Sequence, residues 1–212
     1  MLFQDLYQRY SKLALTVDTD RPIAMRGVEK RLTSVLNTEG KYGIFGIYLC
    51  RSLLWKRDQA SLKRIDFSGK EKEVVPSWSW MAYKGEIRYM SVPSGGVEWD
   101  LWAQEIVSPW QQAKKDNEAT LELEVIVRDL RPIPPGSRVF LDEPSLNDDR
   151  SFKCVIVGSS NESSIGKGQV YHTLVVAPLH QDEVNVYERA GVASIHEHHI
   201  VLDKPGTKAR LR

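Results

Sequence analysis

At 212 residues, with 42% hydrophobic and 27% charged side chains, the chain is long enough to bury a substantial core and has the balance of a folded protein, not of a disordered tail. Its 29 basic and 28 acidic residues leave a net charge of +1, which excludes the broad positive field on which nucleic-acid binding usually depends. The longest apolar run, Tyr42 to Cys50, is too short to span a bilayer, and the N-terminus lacks a basic flank followed by a hydrophobic stretch, so neither nucleic acid nor membrane is expected as a partner.

Phe3, Leu6, Tyr10, Leu13 and Val17 recur at spacings of three and four, which predicts an amphipathic helix ending near Ala14 or Leu15. The polar break Thr16 to Asp20 supplies N-cap candidates for a second helix, with Pro22 in its first turn. Met25, Val28, Leu32 and Val35 form that helix's apolar stripe as far as Leu36, and Asn37 to Gly40 stop it. From Lys41 the apolar pattern resumes through Ile44, Ile47, Tyr48, Leu49, Leu53, Leu54 and Trp55, predicting a third helix, apolar nearly all round and the most buried of the three. Gly43 and Gly46 weaken such a helix, so a close backbone neighbour is expected there. Charge dominates from Lys56 to Glu73, which reads as an exposed connection.

The period then changes to two. In an extended Val74 to Gly85 segment, Trp78 and Trp80 would share one face and Ser77 and Ser79 the other, with Pro76 at an edge or at the first strand position. Two indoles on one face make a core anchor and not a ligand cage, because buried aromatics mostly carry packing energy. Further strands are expected at Glu86 to Met90, at Val97, Trp99, Leu101 and Ala103, and at Leu121 to Arg128. Ser137 to Leu141, Phe152 to Val157, Val170 to Val176 and Val184 to Tyr187 follow, with a last one at Ile200 and Val201. Pro132 to Gly136, Glu143 to Asp149 and Gly158 to Gly168 read as loops. The fold class is α+β: a helical segment over 1–60, packed on a mainly antiparallel β-sandwich or barrel-like region over 61–212 that carries the Pro-Ser-Trp-Ser-Trp motif, the two expected to form one integrated domain.

No residues assemble a recognisable catalytic, cofactor or metal site. His196, His198 and His199 form the most metal-like cluster, but one imidazole pair gives too few ligands for a closed zinc site and reads as a polar strand end. Gly166-Lys167 resembles part of a phosphate-binding loop, yet Asn161 stands in place of the first glycine and Gly168 in place of the magnesium-binding hydroxyl. No serine sits in a nucleophile elbow and neither cysteine has an adjacent histidine. Cys50 and Cys154, far apart and in apolar runs, are expected to be buried free thiols of a reducing compartment, which makes the chain a cytoplasmic protein. Glu122 and Glu124 read as solvent-facing carboxylates, and Lys56-Arg57 and Lys63-Arg64 as a solvated face.

Four blocks carry a resemblance. Tyr10-Ser11-Lys12-Leu13-Ala14-Leu15-Thr16 leads to Asp20-Arg21 and Gly27-Val28, and Tyr42-Gly43-Ile44-Phe45-Gly46-Ile47-Tyr48 leads to Leu53-Leu54-Trp55. Pro76-Ser77-Trp78-Ser79-Trp80-Met81-Ala82 comes next, with Gly85 and Tyr89. Tyr171 to Val176 and Tyr187 to Val192 form a weaker tail. In this order the blocks resemble the region that follows the catalytic-like core of fungal heterokaryon-incompatibility (HET domain) proteins, over about Tyr7 to Tyr89 and again from Tyr171 to Ile195. Arg26, Gly27, Tyr48 and Ala193 depart from the family's pattern, and the family's defining N-terminal core is expected upstream of Met1. The resemblance implies a non-catalytic scaffold or regulatory part of an allorecognition protein of regulated cell death, whose partner is a HET-domain protein or another regulatory protein. It also implies structural roles for Asp20, Arg21, Trp55, Pro76, Ser77, Trp78, Ser79, Trp80 and Gly85. The alternative is a self-sufficient β-rich ligand-binding or enzymatic module.

Overall fold

The computed structural model describes residues 1–68, 75–92, 96–99, 105–112, 122–144, 150–161, 168–180 and 183–212. Helix α1 (Leu2–Ser11) buries Phe3, Tyr7 and Ser11, which four-residue spacing places on one face. It ends earlier than its apolar spacing suggests. The Ser11 hydroxyl donates back to the Gln8 carbonyl at 2.8 Å, and Leu13 and Val17, beyond the helix, are exposed. Helix α2 (Arg21–Leu36) follows a short 3-10 turn, has Asp20 at its N-cap position with no side-chain capping bond, carries Pro22 in its first turn and stops at Asn37 in the left-handed region. Its buried face is Arg21, Pro22, Met25 and Glu29, whereas Val35 is exposed.

The third helix expected from Lys41 to Trp55 is largely replaced by a hairpin. Strands β1 (Gly40–Lys41) and β2 (Ile44–Phe45) pair antiparallel across Tyr42 and Gly43. Both turn residues have positive φ, 52° and 83°, as a two-residue hairpin turn of the primed type requires. A 3-10 turn and the five-residue helix α3 (Leu49–Leu53) complete the segment, so Ile44, Leu49, Leu53, Leu54 and Trp55 are buried without a long helix, whereas Ile47 is exposed.

The stretch after it is also more structured than its charge implies. Strands β3 (Trp55–Arg57) and β4 (Lys63–Arg64) lie within it, and Leu62 and Ile65 are buried; residues 69–74 lie outside the described part. Lys56 and Arg57 are not a freely solvated pair. The Lys56 ammonium sits 4.0 Å from the Phe140 ring centroid and Arg57 Nε donates to the Leu141 carbonyl at 2.7 Å.

The tryptophan segment is not a strand. Ser77 to Ser79 form a turn, Trp80–Ala82 a 3-10 turn, and only then do β5 (Tyr83–Lys84) and β6 (Ile87–Tyr89) follow, pairing with β4 and β3. Both indoles are fully buried, as expected of an anchor, but Ser77 and Ser79 are buried too, because the turn lets them bond inward to backbone groups. Helix α1 closes the free edge of β6: the Ile87 and Tyr89 amides donate to the Ser11 hydroxyl and the Gln8 side chain at 3.0 and 2.9 Å.

The remaining strands are β7 (Val97–Glu98), β8 (Ile106–Val107), β9 (Leu123–Asp129), β10 (Arg138–Leu141), β11 (Lys153–Asn161), β12 (Gln169–Pro178), β13 (Val186–His196) and β14 (Thr207–Leu211), with a single turn, α4 (Pro109–Gln112), after β8. The expected positions at Leu101, Ala103 and Leu121 and the Gly166-Lys167 pair lie outside the described residues. Three expectations are corrected. The strand placed at Val184 to Tyr187 begins only at Val186 and runs on to His196, and the last strand is Thr207–Leu211, whereas Ile200 makes a lone bridge to Leu130. Gly158 to Asn161 belongs to β11 and not to a loop.

Pairing runs β9–β11–β12–β13–β14 and returns to β9, so five strands close into a ring in which only β13 and β14 are parallel. The fold is thus α+β with a mainly antiparallel sheet. Alternation along β11 sends Val155 and Val157 into one core with Leu174, Val192 and Leu211, and Cys154 and Ile156 into a second with Tyr171, Ala193 and Ile195. The first core also contains Phe3, Tyr7, Trp55, Trp78 and Trp80, so helices and ring share one buried cluster.

Candidate functional site

The motif residues converge on two adjoining places. In the first, Trp55 is buried, donates its indole N–H to the Trp78 carbonyl at 2.9 Å, and lies beneath the guanidinium of Arg189, 3.3 Å from the ring centroid. Arg189 itself is 1% exposed. Its Nε donates to Asp142 Oδ2 at 2.8 Å, one Nη to the Leu53 carbonyl at 2.7 Å, and the other to the Trp55 carbonyl and to Asp142 Oδ1. A buried charge is tolerable only when paired and hydrogen-bonded in this way. Asp142 is equally buried and is held through its own backbone, its amide donating to the Ala190 carbonyl and its carbonyl accepting from Leu62, both at 2.8 Å.

Ser77 ties the motif to the ring. Its hydroxyl accepts from the Arg189 amide at 2.9 Å and donates to the carbonyl of Arg212, while its amide donates to the same carbonyl at 3.0 Å. Ser79 reaches the opposite way, its hydroxyl donating to the Tyr42 carbonyl at 2.8 Å and accepting from the Met81 amide at 3.1 Å. Pro76 and Trp78 are buried beside them, Trp78 edge-on to Tyr42 at 6.5 Å.

In the second place, Trp80 packs against Tyr7 at 5.3 Å and Tyr10 at 6.1 Å, with the Arg21 guanidinium 5.6 Å from its centroid. Gly43 lies against the indole, and a Cβ there would overlap it, so the turn glycine is required twice over, by its φ and by Trp80. Glu29, buried on α2, accepts from the Gly43 amide at 2.6 Å. Burial pushes its pKa up to about 7, against the opposing pull of that hydrogen bond and of Lys41 and Arg26. Asp20 holds the N-cap position of α2 beside Arg21 without a side-chain capping hydrogen bond, and Gly85, with φ of +127°, lets the chain pass close to Leu62.

Sequence reasoning missed Arg189, Asp142 and Glu29. The signal for Arg189 is a lone cation inside the apolar run Val186 to Ile195; nothing short-range marks Asp142, which comes from 47 residues away. A third polar group is His172, buried, with Ser160 Oγ 3.2 Å from Nε2 and Ser194 Oγ 2.9 Å from Nδ1. Burial, aided by Arg138, lowers its pKa to about 4, so it is neutral at physiological pH and fixes two hydroxyls across three strands. Burial likewise pushes the Cys154 thiol up to about 12, far from a reactive thiolate; Cys50 is also in no disulfide but is half-buried, not buried as expected. His196, His198 and His199 stack at the end of β13, their successive ring centroids 5.7 and 4.0 Å apart, with His199 Nδ1 2.8 Å from the Pro132 carbonyl. Among the described residues, no group of three His, Cys, Asp or Glu side chains is arranged to hold a metal ion, and no helix is long and apolar enough to cross a membrane.

Both places are built for cohesion: the Arg189 donors are spent on a carboxylate and two carbonyls, and the tryptophan faces are covered. Comparison with protein-family models, with curated proteins and with solved structures found no match.

Proposed function

We propose that the chain is a non-catalytic scaffold or regulatory part of a cytoplasmic protein of the fungal heterokaryon-incompatibility type, acting in allorecognition and regulated cell death through a HET-domain or other regulatory partner. The observation that supports this reading is the use made of the motif residues. Trp55, Ser77, Trp78, Ser79 and Trp80 are buried and bonded to the hairpin turn at Tyr42, to Arg189 and to the C-terminal Arg212, so the signature is accounted for by the joint between helices and ring. A motif spent on such a joint supports the reading of the chain as a part that positions or regulates another.

The test is to express residues 1–212 alone in a fungal host and follow growth and cellular NAD, and in parallel to capture a co-expressed HET core on the purified chain. Normal growth, undiminished NAD and specific capture are expected. Rapid death that withstands alanine replacement of exposed loop residues but disappears when the fold is lost would place the effector in this chain and end the scaffold reading.

A further inference from the structure

We propose that the cleft between the end of α1, the Lys12 to Asp18 segment, Gln59 to Lys63 and Lys84 to Glu86 is a binding site for a small phosphate-bearing anion carrying about two negative charges. The proposal is independent of the scaffold reading. The cleft encloses about 350 Å³, within the range of small-molecule sites. Its charged lining is Lys12, Arg21, Lys63 and Lys84 against Asp18 and Glu86. Each carboxylate already has a lysine: Lys84 meets Asp18 at 3.0 Å and Lys12 meets Glu86 at 3.8 Å. Arg21 and Lys63 have no ion pair of their own on the walls, Asp18 being engaged by Lys84 and reaching Arg21 only at longer range, which leaves a local positive excess in a chain whose net charge is only +1.

Two features mark this excess as built in. Arg21 is 3% exposed, and its Nε and Nη1 are shielded from solvent with no hydrogen-bond partner, a costly arrangement for a cation unless something else answers its charge. Its surroundings are the Trp80 face and Tyr10, whose hydroxyl is likewise buried and unpartnered. Burial pulls the Arg21 pKa down, Tyr10 and Asp18 pull it back, and the group stays charged. At the mouth, the β4–β5 register sets Lys63 directly opposite Lys84, and like charges opposed across a ladder repel. A bound dianion would relieve both the repulsion and the uncompensated guanidinium. A guanidinium and ammonium groups lining one cleft suit phosphate oxygens, and the match in charge selects a phosphate dianion over a monocarboxylate.

The experiment is isothermal titration of the purified chain with inorganic phosphate and, separately, with glycerol phosphate, each against chloride at matched ionic strength. Binding with a Kd below about 1 mM is expected for at least one. Tighter binding of the ester assigns the site to phosphate esters and tighter binding of phosphate to the free ion. Lys63 is exposed and Lys84 is on the surface, so K63Q/K84Q should fold, with a melting temperature in chloride close to the parent's, and bind at least about tenfold more weakly. K30Q/K204Q, which removes two exposed lysines outside the cleft, should bind like the parent. Absence of binding by both anions, or equal affinity in K63Q/K84Q and the parent, overturns the proposal.

Discussion

The Arg189 side chain joins β13 to two other chain segments, and its amide joins a third. It neutralises Asp142, donates to the carbonyls of Leu53 and Trp55, and covers an indole, while its own amide holds Ser77. Replacing either charged partner with alanine strands the other in the interior and is expected to cost about 3–5 kcal/mol in urea unfolding. The paired change Arg189→Met with Asp142→Leu separates two roles. It removes both charges but leaves the Leu53 and Trp55 carbonyls without their donor, so it should remain about 1–3 kcal/mol less stable than the parent. A double variant as stable as the parent would mean that the arginine serves only to neutralise Asp142. Trp80→Ala, which empties the space between Tyr7, Tyr10, Gly43 and Arg21, is expected to cost about 3–5 kcal/mol. A loss under about 1 kcal/mol would remove the indole from the core. The cysteines give a separate reading: with Ellman's reagent, Cys154 should react only on unfolding, because its thiol is both buried and held protonated.

Among the elements, α2 and the half-buried strands were legible because their signals are local: Pro22 and Asn37 bracket the helix, and β9 alternates from Leu123 to Asp129. The Tyr42 to Trp55 segment was not. Its apolar density fits a buried helix and a buried hairpin equally, and the decision rests on Gly43, whose positive φ and contact with Trp80 come from a residue 37 positions on. The serine-tryptophan alternation misled for a related reason, since the inward bonds of Ser77 and Ser79 are tertiary and leave no periodic trace. The link between α2 and the hairpin turn can be probed by pH. Glu29 has a folded-state pKa of about 7 against an ordinary value of 4.5, so the native state holds its proton more tightly than the unfolded chain. Its contribution is therefore full below about pH 4.5 and is lost as pH rises through 7, an effect of about 3 kcal/mol from the size of the shift. Glu29→Gln keeps an acceptor for the Gly43 amide and cannot ionise. Relative to this variant, the parent's stability in urea should fall between pH 5 and pH 8; parallel pH profiles would show that Glu29 is solvated.

For the molecule as a whole, closure of the ring was the least legible feature. β9 meets β11 through only two residue pairs and β14 joins β13 in parallel across a connection, so neither pairing follows from a hairpin signal. Closure nevertheless decides how stability is distributed. The Arg212 carbonyl accepts from both the amide and the hydroxyl of Ser77, its amide donates to the Tyr187 carbonyl at 3.0 Å, and its guanidinium meets Glu122 and Glu183 at 2.5 and 2.8 Å. One residue at the C-terminus thus connects the tryptophan turn, β13 and the start of β9. Because helices and ring also share a buried cluster, they should unfold together, with tryptophan emission and far-UV circular dichroism giving coincident midpoints in urea. Removing residues 207–212 tests the origin of that coupling. It takes away the strand lying between β13 and β9, exposes the β9 backbone from Leu123 to Val127, and leaves Ser77 without its acceptor. The truncated chain is expected to lose the cooperative transition in both signals, including that of tryptophans far away in sequence. If it kept the parent's tryptophan midpoint while only the dichroism changed, the helical part would be held by its own packing, and ring closure would not be the source of its stability.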